Sequence, residues 1–288
     1  MSEVKSPLRY PGGKSKALAQ IMAHLPPDFA EYREPFVGGG ALFVHLRQRR
    51  PTLKVWINDL NFDLFCFWKE AQRDAVRLAA RIAAVKSEKS DGRALFESLR
   101  AADATALSDF ERAVRFFILN RITFSGTIEA GGYSQQAFER RFTDSSIARV
   151  AALHEALQGV RVTNLDYRDV VREDGERTFI FLDPPYFSAT KSRLYGKGGV
   201  LHTTFDHDEF AQAMAACRHP WLITYDDSPE IRENFAFANC YAWELQYGMN
   251  NYKQERAAKG KELFIANYRV ILQKSEPVRL PFADACAM

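Results

Sequence analysis

"FIFLDPPYF", Phe179 to Phe187, decides the fold. Its opening run of apolar residues makes a strand buried on both faces, which places it inside a parallel sheet with helices above and below. Asp183-Pro184-Pro185-Tyr186 then stands at the carboxyl end of that strand, where open α/β sheets put their ligand crevice. The prolines lack N–H groups and stiffen the turn. The Asp183 carboxylate and Pro184 carbonyl can therefore both face outward as acceptors, with the Tyr186 ring beside them. That set suits a planar ring bearing an NH2 group.

Outward from this strand, the second half of the chain reads as "VRVTNL", "RTFIFL", "WLITY", "CYAWELQY" and "ELFIANYRVIL", with a helix "DHDEFAQAMAAC" between the second and third. Upstream, "EYREPF" enters "VGGG", "ALFVHLRQRR" follows as a helix, and "KVWINDL" is a second strand ending in Asp59. From Asn61 to about Gln158 the alternation stops. "FDLFCFWKEAQRDAVRLAARIAAV", "RALFESLRAA" and, after the capping box Ser108-x-x-Glu111, "DFERAVRFFILNRITF" all read as helices. The expected architecture is α/β: one sheet in two halves, 1–60 and 159–288, interrupted by a mostly helical insert over 61–158.

A glycine turn after the first strand and an acid about twenty positions later, ending the second, resemble a dinucleotide fold. Glycines admit a ligand to the backbone, and Asp59 can accept both hydroxyls of a ribose. "VGGGALF" lacks the G-x-G-x-x-G spacing, so the pattern indicates an adenosine-containing cofactor without indicating NAD. A tight turn with a helix-capping Asp remains the alternative. "LRYPGGKSKAL", Leu8 to Leu18, contains the Gly13-Lys14-Ser15 tail of a phosphate loop, but Leu8 occupies the position of the first required glycine and Pro11 removes a donor. It reads as a Gly-Gly turn opening the helix "KSKALAQIMAHL".

With 39 basic and 36 acidic residues, a net charge of +3 permits a polyanionic partner without demanding one. Cys66, Cys217, Cys240 and Cys286 are scattered, which suggests neither a zinc site nor a disulfide framework and points to a reducing, cytoplasmic setting. The most apolar windows, such as "RFFILNRITF", are interrupted by charge, so no membrane association is expected. His202 and His207 beside Asp206 and Asp208 look like metal ligands, but Asp206-x-x-Glu209 is also a capping box, and no metal is expected.

"RYPGGK", "EPFVGGGALF", "INDLN", "LNRITFSG", "LDYRD", "DPPY" and "ELFIANY" occur in one order along nearly the whole chain. In this the chain resembles the Dam-type, D12 class DNA adenine-N6 methyltransferases. The resemblance implies a Rossmann-like methyltransferase sheet that uses S-adenosylmethionine, with a target-recognition domain between its halves. It places Tyr10 and Lys14 along the methionine and adenosine end of the cofactor. Glu34, Phe36, Gly38 and Gly40 would surround the methionine moiety, with Asp59 on the ribose, Asp166 and Tyr167 near the cofactor adenine, and Asp183 bordering cofactor and base. No triphosphate is implied. The protein is expected to act on double-stranded DNA, as a monomer without a stable protein partner.

The chemistry accounts for these residue types. An aromatic amine delocalises its lone pair into the ring and is a poor nucleophile until hydrogen bonds from both N–H groups to Asp183 and Pro184 O favour a pyramidal nitrogen. Tyr186 would stack on the base, which must leave the duplex to be reached. Within the insert, Asn120-Arg121 end a helix, and "TFSGTIEAGGYSQQAFERRF" has the alternation and Gly-Gly of a β-hairpin with basic ends at Arg140 and Arg141. Asn and Arg read adenine and guanine edges bidentately. Asn120 and Arg121 at the helix end, with Tyr133 and Gln135 of a hairpin from Gly126 to Phe138, are the expected base readers, although helix capping and surface charge explain Asn120-Arg121 equally well. Lys197, in "KSRLYGKGG", and the loop "NNYKQERAAKGK" are expected on phosphates. An RNA adenine or a protein amide as acceptor, or an inert DNA-binding module, are the other readings, though Asn commonly replaces the Asp of this motif in the amide enzymes.

Overall fold

The computed structural model describes residues 4–10, 12–126, 128, 131–187, 205–245 and 260–270. Lys197, His202 and most of both lysine-rich loops lie outside them. Among the described residues, strands β1 (Glu31–Glu34), β2 (Lys54–Asn58), β3 (Arg161–Thr163), β4 (Thr178–Leu182), β5 (Trp221–Asp226), β6 (Asn239–Leu245) and β7 (Gly260–Ala266) form one sheet. Its order is β3-β2-β1-β4-β5-β7-β6. β1 to β5 pair in parallel, and β7 is antiparallel to both its neighbours.

Alternation along the strands builds a core on each face. Phe179 and Phe181 of β4, Leu222 of β5 and Phe264 of β7 join one cluster with Ile21, Phe43 and Leu46. These last belong to helices α1 (Leu18–His24) and α2 (Ala41–Arg49). Ile180, Leu182, Ile223 and Leu263 point the other way and meet Val171, Phe210 and Ile231. The helices supplying that second cover are α9 (Tyr167–Arg172), α10 (His207–Ala216) and α11 (Pro229–Asn234). All five residues of β4 are buried, as its sequence requires.

Between β2 and β3 the chain runs through α3 (Phe62–Glu88), α4 (Gly92–Ala101), α5 (Asp109–Ile122), α6 (Gln135–Arg141), α7 (Asp144–Ala151) and α8 (His154–Leu157). Their starts are set by side-chain caps. Asn61 accepts from Leu64 N, Asp91 from Arg93 N and Ala94 N, and Ser108 and Glu111 form the reciprocal box read from the sequence. Trp68, Phe67 and Phe117 of these helices belong to the same cluster as the α1/α2 face of the sheet.

Three local expectations are corrected. The second arm of the hairpin is helical: Thr123 and Tyr133 make only an isolated antiparallel bridge. From there Ser134 caps α6 by accepting from Ala137 N. Alternation in "YSQQAF" was outweighed by a cap residue followed by good helix formers. The helix expected from Lys14 is divided into a single 3-10 turn, Lys14–Lys16, and α1. Asp206 caps α10 as read, but Glu209 bonds Arg168 of α9 instead of completing a box.

Candidate active site

The strand order reverses between β1 and β4, so the crevice opens over the carboxyl ends of β1, β2 and β4. Asp183 follows β4 directly. Lys14 Nζ lies 2.7 Å from its Oδ1 and 2.9 Å from its Oδ2, and also donates to Gly12 O at 2.8 Å. Thr224 of β5 donates from Oγ1 to Asp183 Oδ1 at 2.7 Å. The Asp183 side chain keeps 21% of its surface, whereas Lys14 keeps 4%. A carboxylate held on both oxygens yet open on one side is a fixed acceptor facing the crevice.

Tyr186 completes this wall. Its ring lies 5.0 Å beneath Lys14 Nζ, and its hydroxyl donates to Glu262 Oε2 of β7 at 2.9 Å. Glu262 is 1% exposed. Burial pushes its carboxyl up to about 7, Asp183 and Asp226 push the same way, and Lys14 and Tyr186 oppose them. The Tyr186 hydroxyl is held well above its ordinary range by burial and by the charges of Asp183 and Glu262.

The turn after β1 forms the other wall. Gly38 and Gly40 adopt φ of +45° and +64°, which L side chains avoid. A Cβ on Gly38 would meet the Tyr10 ring at 3.0 Å, and one on Gly40 would meet Phe43 at 2.4 Å and Trp68 at 2.7 Å. Asp59, just after β2, ties the turn down by accepting from Gly38 N and Asn61 N, each at 3.0 Å. Burial lifts its carboxyl to about 6 against those two bonds. Glu34 accepts from Tyr32 Oη at 2.8 Å, and burial, aided by Asp183 and Asp59, lifts it to about 8. Neither Glu34 nor Asp59 has an ion-pair partner among the described residues. Phe36 and Tyr167 face each other at 5.5 Å, with Phe205 near both. A buried and a half-buried carboxyl without cations, a bare backbone turn and clustered rings fit a ligand carrying positive charge, sugar hydroxyls and an aromatic base.

Residues 10–249 match the model of the D12 class N6 adenine-specific DNA methyltransferases. The chain belongs to this family. Type II methyltransferase M.MjaIII of Methanocaldococcus jannaschii is 26% identical over 234 residues, which cover 74% of this chain and 78% of that protein. The DNA adenine methylase of Salmonella typhi is 24% identical over 268 residues, 87% of this chain and 91% of the relative. The DNA N-6-adenine-methyltransferase of Escherichia phage P1 is 27% identical over 236 residues, 80% of this chain but 31% of that longer protein. No described helix of this methyltransferase is long and apolar enough to cross a membrane.

Of the residues read from the sequence, Tyr10, Lys14, Glu34, Phe36, Gly38, Gly40, Asp59, Tyr167, Asp183, Pro184 and Tyr186 line the two walls of the methyltransferase crevice or the turns beneath them. Lys14 puts its ammonium on Asp183. Asp166 caps α9 and is ion-paired to Arg168 at 2.7 Å.

Asn120 and Arg121 are not exposed for base reading: they are 0% and 4% exposed at the end of α5. Asn120 Oδ1 accepts from Arg9 N at 2.8 Å, and its Nδ2 donates to Arg9 O at 2.6 Å. Arg121 donates to Arg141 O at 2.7 Å and Pro7 O at 3.1 Å. Both hold the N-terminal segment in place. Tyr133 Oη donates to Gln135 Oε1, and Gln135 Nε2 to Glu139, at the surface. His207 Nδ1 meets Tyr225 Oη in the aromatic cluster. Sequence reading missed Thr224 and Glu262. No local spacing marks either of them.

Proposed function

We propose that this methyltransferase transfers the methyl group of S-adenosylmethionine to the exocyclic N6 of an adenine flipped out of double-stranded DNA. The observation that carries the reading is Asp183, fixed by Lys14 and Thr224 at the carboxyl end of β4 with one side open, and Tyr186 beside it. Asp183 and the Pro184 carbonyl would accept the two N6 protons and direct the nitrogen lone pair outward, while Tyr186 stacks on the base.

Glu34, Asp59, Phe36, Tyr167 and the glycine turn would hold the cofactor. When bound it supplies an electrophilic methyl group. Glu34 stands where a cationic amine fits, and Asp59 where ribose hydroxyls fit. Lys14 orients Asp183 and excludes water from its far side.

Contact with a polyanion is supported by a crowd of guanidinium groups where the N-terminal segment meets α5 to α7. The charge on Arg121 is disfavoured by burial and then by Arg149, Arg9 and Arg141, and that on Arg9 by burial and Arg141. DNA phosphate would relieve this repulsion. The insert from 61 to 158 would carry recognition, through surface side chains instead of the buried Asn120 and Arg121.

Incubation with methyl-labelled S-adenosylmethionine and duplex DNA, single-stranded DNA, RNA or protein tests the reading. The expected product is N6-methyladenine in duplex DNA at a fixed sequence context. Label confined to RNA or protein would overturn it.

A further inference from the structure

Glu262 is an acid, 1% exposed, for which binding of base and cofactor provides no direct task. On β7 it stands directly opposite Asp226 of β5. Directly opposed residues of antiparallel strands share one face of the sheet with Cβ atoms about 5 Å apart, and like charges placed there weaken the pairing. The neighbouring cation, Lys14, is already bonded to both oxygens of Asp183. Two acids facing each other across the sheet therefore need a reason outside the sheet.

Tyr186 supplies that reason. Glu262 Oε2 accepts from the Tyr186 hydroxyl at 2.9 Å, whereas Oε1 is buried with no hydrogen-bond partner among the described residues. The opposed acid takes the next residue along: Asp226 Oδ1 accepts from Phe187 N at 3.0 Å. One acid thus holds the tip of the Tyr186 ring and the other holds the backbone just after it. Before it, Pro184 and Pro185 stiffen the turn. The ring itself is half-buried, which leaves surface for a base.

We propose that Glu262 is a positioning residue which, through the Tyr186 hydroxyl, fixes the plane of the ring on which the flipped adenine stacks. The inference rests on the function proposed above. A tyrosine side chain turns about two torsions. The prolines and Asp226 place its root, and the bond to Glu262 sets its tip, so the ring is ordered before the base arrives. Without the tether that ordering falls to the binding step, at a loss of about threefold to tenfold. Buried behind the ring, Glu262 acts through Tyr186 and does not itself meet the base.

A double-mutant cycle on single-turnover methylation of duplex DNA tests the tether. Glu262→Leu removes the acceptor and Tyr186→Phe removes the donor while keeping the ring. Each should slow methylation by about threefold to tenfold, and the double variant should be no slower than either single one. Glu262→Gln, whose amide oxygen can still accept, should recover most of what Glu262→Leu loses. Cofactor affinity, read by calorimetry, should stay at the wild-type value throughout. The spectroscopic readout is 2-aminopurine placed at the target adenine, once sequencing of the wild-type product has located it. Stacking on the fixed ring quenches its emission, so Glu262→Leu, Tyr186→Phe and the double variant should all be brighter than wild type by the same amount. Additive rate losses, or a Glu262→Gln as slow as Glu262→Leu, overturn the tether. If Glu262→Leu does not fold, Tyr186→Phe alone decides, because wild-type rate and wild-type emission in that variant overturn the proposal. Absence of N6-methyladenine from the wild-type reaction instead overturns the function on which the tether rests.

Discussion

In the proposed reaction the chemistry turns on Asp183, and its neighbours separate its catalytic loss from its structural loss. Asp183→Ala removes the acceptor of N6–H and leaves the Lys14 ammonium, 4% exposed, without its carboxylate. Methylation should fall by about two to four orders of magnitude, the range for a positioned catalytic group. Cofactor affinity, measured by calorimetry, should stay within a few-fold. Near wild-type turnover would remove Asp183 from the mechanism. Glu34 makes a second prediction, about protons. Its carboxyl stands at about 8 and is therefore mostly protonated at pH 7. A cation bound beside it favours the ionised form, so cofactor binding at pH 7 should release up to one proton, and affinity should climb with pH up to about 8 and then level off. Calorimetry in buffers of different ionisation enthalpy reads the proton directly, and Glu34→Gln should abolish the release. Asp183, Asp59 and Glu34 were legible because each lies in a short motif whose spacing reports its place at a strand end. Glu262 and Thr224 were not, because each resembles any polar residue within a strand. Only the pairing of β5 with β7 brings Thr224 and Glu262 to one site.

At the scale of elements, the helical block was readable where apolar residues recur at helical spacing, and its caps fell where the Asn, Asp and Ser residues stood. The hairpin was misread because the Gly-Gly and alternating residues after α5 also fit a loop leading into a capped helix. The same misreading put Asn120 and Arg121 at the surface. Their neighbours explain why they are inside: two N-terminal residues, Pro7 and Arg9, pass the end of α5 with backbone groups that no sheet or helix satisfies. Arg121→Ala should therefore lose two charge-assisted bonds and leave carbonyls unpaired. The expected cost is about 2 to 4 kcal/mol, a fall in Tm of roughly 5 to 10 °C. Sequence context, read by sequencing the methylated adenines, should remain that of the wild type. A relaxed context at unchanged Tm would return Arg121 to the base-reading role.

At the scale of the molecule, the sequence indicated two half-sheets around an insert, but not the order of strands. Nothing local says that β7 lies antiparallel between β5 and β6, because that order depends on pairing between segments far apart in sequence. Nor did the sequence indicate how the insert sits on the sheet. Trp68 of α3 donates from Nε1 to Gly38 O at 3.2 Å and meets Phe43 of α2 edge-on at 5.1 Å, so the first helix of the insert supports the glycine turn of the candidate cofactor site. One apolar cluster runs from Phe179 and Val55 in the sheet through Phe43 and Trp68 to Phe117 and Ile118 in α5. A core without a break makes opening of the block expose the sheet, and the two should unfold together. Native-state hydrogen exchange in rising denaturant provides the measurement. Amides of β2, β4 and α5 should converge on one opening free energy with one denaturant slope, and Phe117→Ala should lower all three equally, by about 3 to 5 kcal/mol. If α5 instead exchanges at low denaturant while β4 stays protected, the block is a separate folding unit and its hold on the glycine turn is weaker than the Trp68 contacts imply.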